Sequence, residues 1–342
     1  MGNTRRVMRN LPILICIILL FNSCVNKTTQ IQKIVGEAQG TTYAISYVSE
    51  KSVIQKSSID SIFTEIDNAV SHYVKSSVVS KFNSNQMNFE EALKNHHFKN
   101  LIYLSYQWNV LSDGAFDISM GQLSNYWGFG AEKKQSISVI DSLAIDSLMQ
   151  YCGMSRFFAM NNGAISYTSD SIRTKLDFNA IAQGYSVDVL SDYLLENNIE
   201  NYIIEVGGEI IAGGNKGEGE SWKVAIDKPL SDTETREFQT ILPLNDKAMA
   251  TSGNYRKFYM LDGKKYAHTL NPANGFPVEH NLLSATVFAD NCSSADALAT
   301  ILMVLGVEKS KAFIANNKLP IDVYLIYENE KGELEVFSKL ED

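Results

Sequence analysis

Two oxygen-bearing side chains stand one helical turn apart in the segment SSADALATILMVLGV, Ser293 to Val307: the carboxylate of Asp296 and the hydroxyl of Thr300. Leu298, Ile301, Leu302 and Leu305 recur at the spacing of one buried helix face. Residues at i and i+4 share a face with Cβ atoms about 5–6 Å apart, so the pair can converge on one ion. Oxygen ligands alone favour a hard cation, at roughly 2.1 Å if it is magnesium. The structural alternative is that Asp296 complements the positive helix end and Thr300 bonds back to a carbonyl.

Other segments carry reactive side chains, each with a plain structural reading beside it. SDGAFDISMGQLSNYWGFG, Ser112 to Gly130, packs glycines and aromatics around Asp117, which taken alone reads as a capping carboxylate in a tight loop. In KLDFNAIAQGYSVDVL, Asp177 stands at a strand end, where it could cap a helix. EVGGEIIAGGNKGEGE lacks the Gly-Lys-Ser/Thr ending of a phosphate loop, and its glycines miss the GxGxxG spacing. A glycine pair within a strand points instead to close approach of another backbone or a flat ligand. MATSGNYRKFY joins a Ser-Gly turn to Tyr255 and Arg256, and YAHTLNPANGFPV holds His268 ahead of Asn-Pro and Asn-Gly turns.

Positioning these groups takes a large core, and 342 residues, 45% of them hydrophobic, with six prolines, can supply one. GTTYAISYV, Gly40 to Val48, alternates like a strand, and IDSIFTEIDNAVSHY spaces Ile59, Ile62, Phe63, Ile66 and Val70 like a helix. KNHHFKNLIYLSYQWNVLSDG predicts a second helix and Ala180 to Asn197 a third, the latter followed by the strand pair NYIIEVGGEIIAGG and SWKVAID. LLSATVFA, a helix from Ala295 to Leu305, IDVYLIYE and LEVFS complete the pattern. Helices and strands come in unequal blocks, with no linker, charge block or repeat between 33 and 340. This predicts a single α+β domain with a mostly antiparallel sheet.

The first residues are of another kind: Arg5, Arg6 and Arg9 precede the apolar run LPILICIILLF, and NSC follows at once. The run is short for a membrane span and has the layout of an export signal. LLFNSC resembles a bacterial lipoprotein signal, which predicts a signal peptide at 1–23, a lipidated Cys24 with a tether over 24–32, and a folded domain at 33–342. An uncleaved N-terminal anchor is the alternative, and either places the folded part outside the cytoplasm on a membrane surface. Losing the three arginines takes the formal net charge from -9 to -12, which disfavours nucleic acid as a partner. Cys152 and Cys292 remain, in no metal-type spacing, and read as buried thiols.

Taken in order, GAFDISMGQLSNYWGFG, LDFNAIAQGYSVD, YIIEVGGEIIAGG, ATSGNYR, HTLNPANGFPV and ADALATILMVLG resemble the FAD:protein FMN transferase family, called ApbE, from about Gly36 to the final strands. The resemblance implies a T-fold-like sheet with packed helices. It also implies a magnesium-dependent enzyme that cleaves FAD, attaches FMN through a phosphoester to a threonine of a partner protein, and releases AMP. The acceptors it implies are subunits of membrane redox pumps of the sodium-translocating quinone reductase and Rnf types. Members are commonly lipoproteins facing the periplasm, in keeping with Cys24.

Carried over motif by motif, the metal ligands are Asp296, Thr300 and the backbone carbonyl of Ala180. Ala299 stands where some members have a second Asp. The FAD contacts are Gln39 in AQGTTY, Tyr73 in SHYVKSSVVSKFN, Ala115, Phe116 and Asp117, then Asp177, Gln183 and Leu270. Gln183 replaces a frequent Lys and Gln39 a frequent Met. A pyrophosphate concentrates negative charge, so an acidic chain needs a cation to hold it and to stabilise its transition state. His268 and Asp296 are both candidates for the base that deprotonates the acceptor hydroxyl, and metal binding would make Asp296 the poorer one. The same site would serve a FAD pyrophosphatase that releases FMN and AMP. A lipid-anchored flavin carrier would have no need of a catalytic cation.

Overall fold

The computed structural model describes residues 30–132, 139–168, 174–229, 237–255, 258–261 and 263–340; the segment predicted to be an export signal, Cys24 and Arg256 lie outside them. In chain order the strands are β1 (Gln30–Ala38), β2 (Thr41–Ser49), β3 (Phe158–Asn161), β4 (Ala164–Tyr167), β5 (Tyr202–Val206), β6 (Glu209–Gly213) and β7 (Trp222–Asp227). They continue with β8 (Phe238–Leu244), β9 (Lys247–Gly253), β10 (Phe258–Leu261), β11 (Lys264–Ala267), β12 (Leu282–Ala289), β13 (Asp322–Glu328) and β14 (Leu334–Lys339). The helices are α1 (Lys56–Val70), α2 (Val78–Asn83), α3 (Phe89–Ala92), α4 (His96–Leu111), α5 (Gly121–Tyr126), α6 (Ser142–Met149), α7 (Met154–Phe157), α8 (Ala182–Glu196) and α9 (Cys292–Asn317).

Eight strands form one sheet in the order β1-β2-β5-β6-β9-β12-β13-β14, antiparallel throughout, and β3–β4, β7–β8 and β10–β11 are separate hairpins. Alternation in β2 buries Tyr43, Ile45 and Tyr47 on one face, where they meet Ile59 and Phe63 of α1 and Val187, Leu190 and Leu194 of α8. The same face, toward β12 and β13, packs on Leu298, Ile301 and Leu302 of α9. On the opposite face Trp222, Val224 and Ile226 of β7 cover Met249, Phe288 and Ile326. Helices against an antiparallel sheet make this the α+β fold that the pattern predicts. Among the described residues no helix is long and apolar enough to cross a membrane.

Three expectations change. The domain begins earlier than residue 33, because β1 starts at Gln30, inside the stretch read as tether; Ile34 is its one buried residue, so this edge strand carries no alternation to read. Gly207 and Gly208 lie not within a strand but in the two-residue turn between β5 and β6, at φ 66° and 113°, the conformation that tight hairpins demand. The α9 segment continues past Leu305 to Asn317, broken at Gly306 with φ 73°.

Where α8 crosses α9, the backbones nearly touch. A Cβ at Gly184 would lie 2.5 Å from the Cys292 carbonyl oxygen and 2.8 Å from Asp296 Cβ. Glycine normally weakens a helix interior by about 1 kcal/mol relative to alanine, so packing must outweigh propensity here. Gly184→Ala is therefore expected to destabilise the protein by about 1–3 kcal/mol, the usual cost of overpacking, in urea or thermal unfolding. A variant at least as stable as the parent would refute the close crossing.

Candidate active site

The start of α9 is saturated without Asp296. Asn291 caps it by accepting from Ser294 N–H, and Asp188 of α8 accepts from the N–H groups of Cys292 at 2.6 Å and Ser293 at 2.9 Å. Asp296 is 6% exposed, and its Oδ2 accepts one hydrogen bond, 3.1 Å from Gly184 N in the first turn of α8. Among the described residues no lysine or arginine pairs with it. Burial pushes its carboxyl up to about 7, the Gly184 N–H pulls it down, and the nearby Asp188 raises it again. Thr300 does not bond back to a carbonyl; its Oγ1 lies 3.4 Å from Ser252 Oγ at the end of β9. Asp296 thus complements the start of α8 rather than that of its own helix, and Thr300 makes no bond back to a carbonyl.

A buried carboxylate with no counter-cation among the described residues, on the helix face that carries Thr300, suits a hard cation. Among the described residues no cluster of three or more His, Cys, Asp or Glu side chains forms a metal site. A cation at Asp296 would draw its other ligands from hydroxyl, carbonyl and phosphate oxygens. Ala180 lies in the turn that leads into α8, shortly before Gly184. Cys292, fully buried beneath Asp188 and Asp296, and Cys152 are free thiols; burial raises both, Cys152 to about 12, so neither offers a reactive thiolate.

The first half of α8 gathers further sequence-predicted residues. Gln183 reaches the β5–β6 turn, where a Cβ on Gly207 would meet its Nε2 at 2.8 Å. Gln39, at φ 52° in the β1–β2 turn, donates from Nε2 to Ser186 Oγ at 2.7 Å, while its buried Oε1 accepts no hydrogen bond.

A second group lies along residues 115 to 120 and 175 to 179. Phe116 is 1% exposed and its ring belongs to the core. Its ring therefore fixes the loop from within, so what residue 116 can present to a ligand is its backbone. Asp117 has the capping role of its plain reading, accepting from Ser119 N, Ser119 Oγ and Met154 N at 2.5–2.8 Å. Asp177 does not cap α8, whose N-cap is Ile181; it accepts from Asn179 N at 3.0 Å and borders a cavity of about 200 Å³ with His72, Asn83, Lys175 and Glu132. Tyr73 is 61% exposed beside it.

His268 follows β11, with its ring centroid 6.2 Å from that of Phe129, and Leu270 packs against the Trp127 cluster. The next residue, Thr269, donates to Asn254 Oδ1 at 2.7 Å, and Asn254 N donates to Leu283 O at 3.0 Å. The segment ATSGN thus serves both sides, Ser252 reaching Thr300 and Asn254 holding the chain beside His268. Sequence reasoning singled out Tyr255 and Arg256 in that motif and passed over Ser252 and Asn254. It also passed over Gly184 and Asp188, whose only signal is their place in the motif around Gln183.

Comparison with known proteins identifies the family. The ApbE family profile matches residues 39–325. An FAD:protein FMN transferase of Vibrio cholerae is 33% identical over 318 residues, covering 92% of this chain and 93% of that protein. One of Haemophilus influenzae is 32% identical over 313 residues, covering 90% and 89%. Among solved structures, the flavin transferase ApbE from Vibrio cholerae superposes with a TM-score of 0.79 at 31% identity, over 91% of this chain and 97% of that one. The apo flavinyl transferase ApbE of Pseudomonas stutzeri gives 0.76 at 29% identity, over 91% and 95%.

The raised carboxyl of Asp296 has a pH signature. An unfolded aspartate has lost its proton above about pH 4, whereas in the fold Asp296 keeps it to about pH 7. Across that window the native state holds the extra proton, so this group's contribution to stability falls as pH rises. The limiting slope is about 1.4 kcal/mol per pH unit. Metal-free protein should therefore lose stability relative to Asp296→Asn between about pH 4 and pH 7, and magnesium should narrow the gap. Thermal unfolding of both proteins across that range checks it; a parallel pair of curves, indifferent to magnesium, would contradict the assignment.

Proposed function

This chain belongs to the ApbE family, and on that premise we propose that it transfers FMN from FAD to a threonine hydroxyl of a partner protein in a magnesium-dependent reaction. It is a flavin transferase with FAD as its substrate. The observation that carries the finer reading is the buried Asp296 carboxylate, held by Gly184 N–H, without a cationic partner, and sharing its helix face with Thr300. Magnesium held by Asp296, Thr300 and the Ala180 carbonyl would neutralise pyrophosphate charge and stabilise the transition state.

In the proposed step the acceptor oxygen bonds to the FMN phosphorus as the bond from that phosphorus to the bridging oxygen breaks, and AMP leaves with that oxygen. His268 takes the hydroxyl proton, since an aspartate bound to a cation is a weak base. Tyr73, Asp177, Gln183, Gln39 and Leu270 hold the dinucleotide, with Ala115 and Asp117 shaping the loop beside Asp177. We further propose that Cys24 is lipidated, that the domain faces the periplasm, and that the acceptor is a subunit of a quinone-reductase or Rnf-type redox pump.

Incubating the protein with FAD, magnesium and such a subunit should leave flavin on the subunit after denaturation, with AMP in solution. AMP and free FMN without bound flavin would mean that water is the acceptor. Asp296→Ala should reduce magnesium-dependent FAD cleavage by at least a hundredfold while the protein remains folded; wild-type turnover would remove Asp296 from the metal site. His268→Ala should lower the transfer rate by roughly 10²–10⁴-fold with FAD affinity little changed. Loss of FAD binding instead would reassign His268 to ordering the NPANG turn.

A further inference from the structure

The motif SHYVKSSVVSKFN contributes more than Tyr73, because its two ends clamp the segment that carries Asp177. Asn83 bonds both polar groups of Leu176, Nδ2 donating to the carbonyl and Oδ1 accepting from the N–H, each at 2.8 Å. It acts there as a missing neighbouring strand would. His72 lies along the turn that follows, with Nδ1 3.5 Å from Asp177 Oδ1 and Nε2 3.5 Å from Asn179 Nδ2. One neutral tautomer satisfies both contacts: protonated Nδ1 donates to the carboxylate and bare Nε2 accepts from the amide.

The same ring backs Tyr73, with centroids 4.4 Å apart and planes at 48°. The His72 and Asp177 side chains are 11% and 12% exposed, whereas Tyr73 is 61% exposed. Tyr73 is thus supported from behind and open in front. Contacts as long as 3.5 Å add little to the stability of the unliganded fold, and such contacts tighten when substrate fills a site. His72 also borders the cavity beside Asp177, where Lys175 and Glu132 pair at 2.6 Å and neutralise each other.

We propose that His72 is a positioning residue: it orients the Asp177 carboxylate and backs the Tyr73 ring, so that two FAD contacts distant in sequence form one preformed surface. The inference rests on the flavin-transferase reading. It goes beyond that reading in giving a role to a side chain that no motif singles out. Preorganisation of this kind acts on affinity, because the ordering cost is met before the ligand arrives.

The test is FAD binding by flavin fluorescence, with His72→Ala, His72→Phe and His72→Gln in the full chain. Ala and Phe should weaken FAD binding by about tenfold, as loss of an orienting partner commonly does, and Gln should recover part of it by donating to Asp177. Melting temperatures should stay near the parent's. At saturating FAD the transfer rate should change by less than about twofold, the loss appearing in KM. FAD binding by His72→Phe at the parent's affinity would overturn the orienting role, since that variant keeps the ring and loses only the polar contacts. The titration needs no acceptor. A chain that binds FAD through His72 yet transfers nothing would overturn the transfer reading alone, and normal transfer with unchanged KM in His72→Phe would overturn this inference alone.

Discussion

The crossing of α8 and α9 at Gly184 is the contact on which the site depends. Each helix satisfies the start of the other with a carboxylate: Asp188 receives the first N–H groups of α9, and Asp296 receives one from the first turn of α8. That exchange is possible only because residue 184 has no Cβ, since any side chain there would collide with the Cys292 carbonyl. Its cost is two carboxyl groups sharing one buried region, and burial raises the proton affinity of both. The N–H groups of Cys292 and Ser293 steady Asp188, whereas Asp296 has one N–H donor and, among the described residues, no cation. The imbalance leaves Asp296 to be satisfied by a proton or, as proposed, by a cation.

The sheet turns this local contact into a site of larger reach. Because β9 lies centrally, between β6 and β12, its C-terminal end brings Ser252 under Thr300 and Asn254 against Thr269. His268 is therefore fixed relative to the α9 hydroxyl through one strand end, although the two are held by different parts of the chain. The loop at Ala115 to Asp117 is fixed from below by the buried ring of Phe116 and from the side by Ser119 and Met154. It is joined to the other wall where Asp177 N donates to Ile118 O at 2.8 Å.

Much of this was legible in the sequence, and the parts that were not share a physical cause. The i, i+4 spacing of Asp296 and Thr300 and the apolar periods of α1 and α8 are local, so the chain itself displays them. The edge strand β1 buries only Ile34 and shows no alternation. The role of Phe116 could not be read because an aromatic ring in a glycine-rich loop looks the same whether it faces core or ligand. Ser252, Gly184 and His72 matter through partners far along the chain, and their residue types give no sign of which partner the fold will bring.

The turn from Asp177 to Gly184 ties the two halves of the proposed site together. At one end His72 and Asn83 hold the side that faces Tyr73 and the cavity. At the other, Gly184 holds the carboxylate proposed to carry the cation. Ala180, whose carbonyl is the proposed third ligand, lies between them on the same short stretch of backbone. A ligand that pulls on Asp177 therefore acts on the stretch of chain that sets Ala180 and Gly184, so in the proposed site recognition of the dinucleotide and placement of its phosphates would not be independent. For an acidic protein handling an anionic substrate this is the useful constraint, because the cation is best retained when the phosphates it must neutralise are already in place.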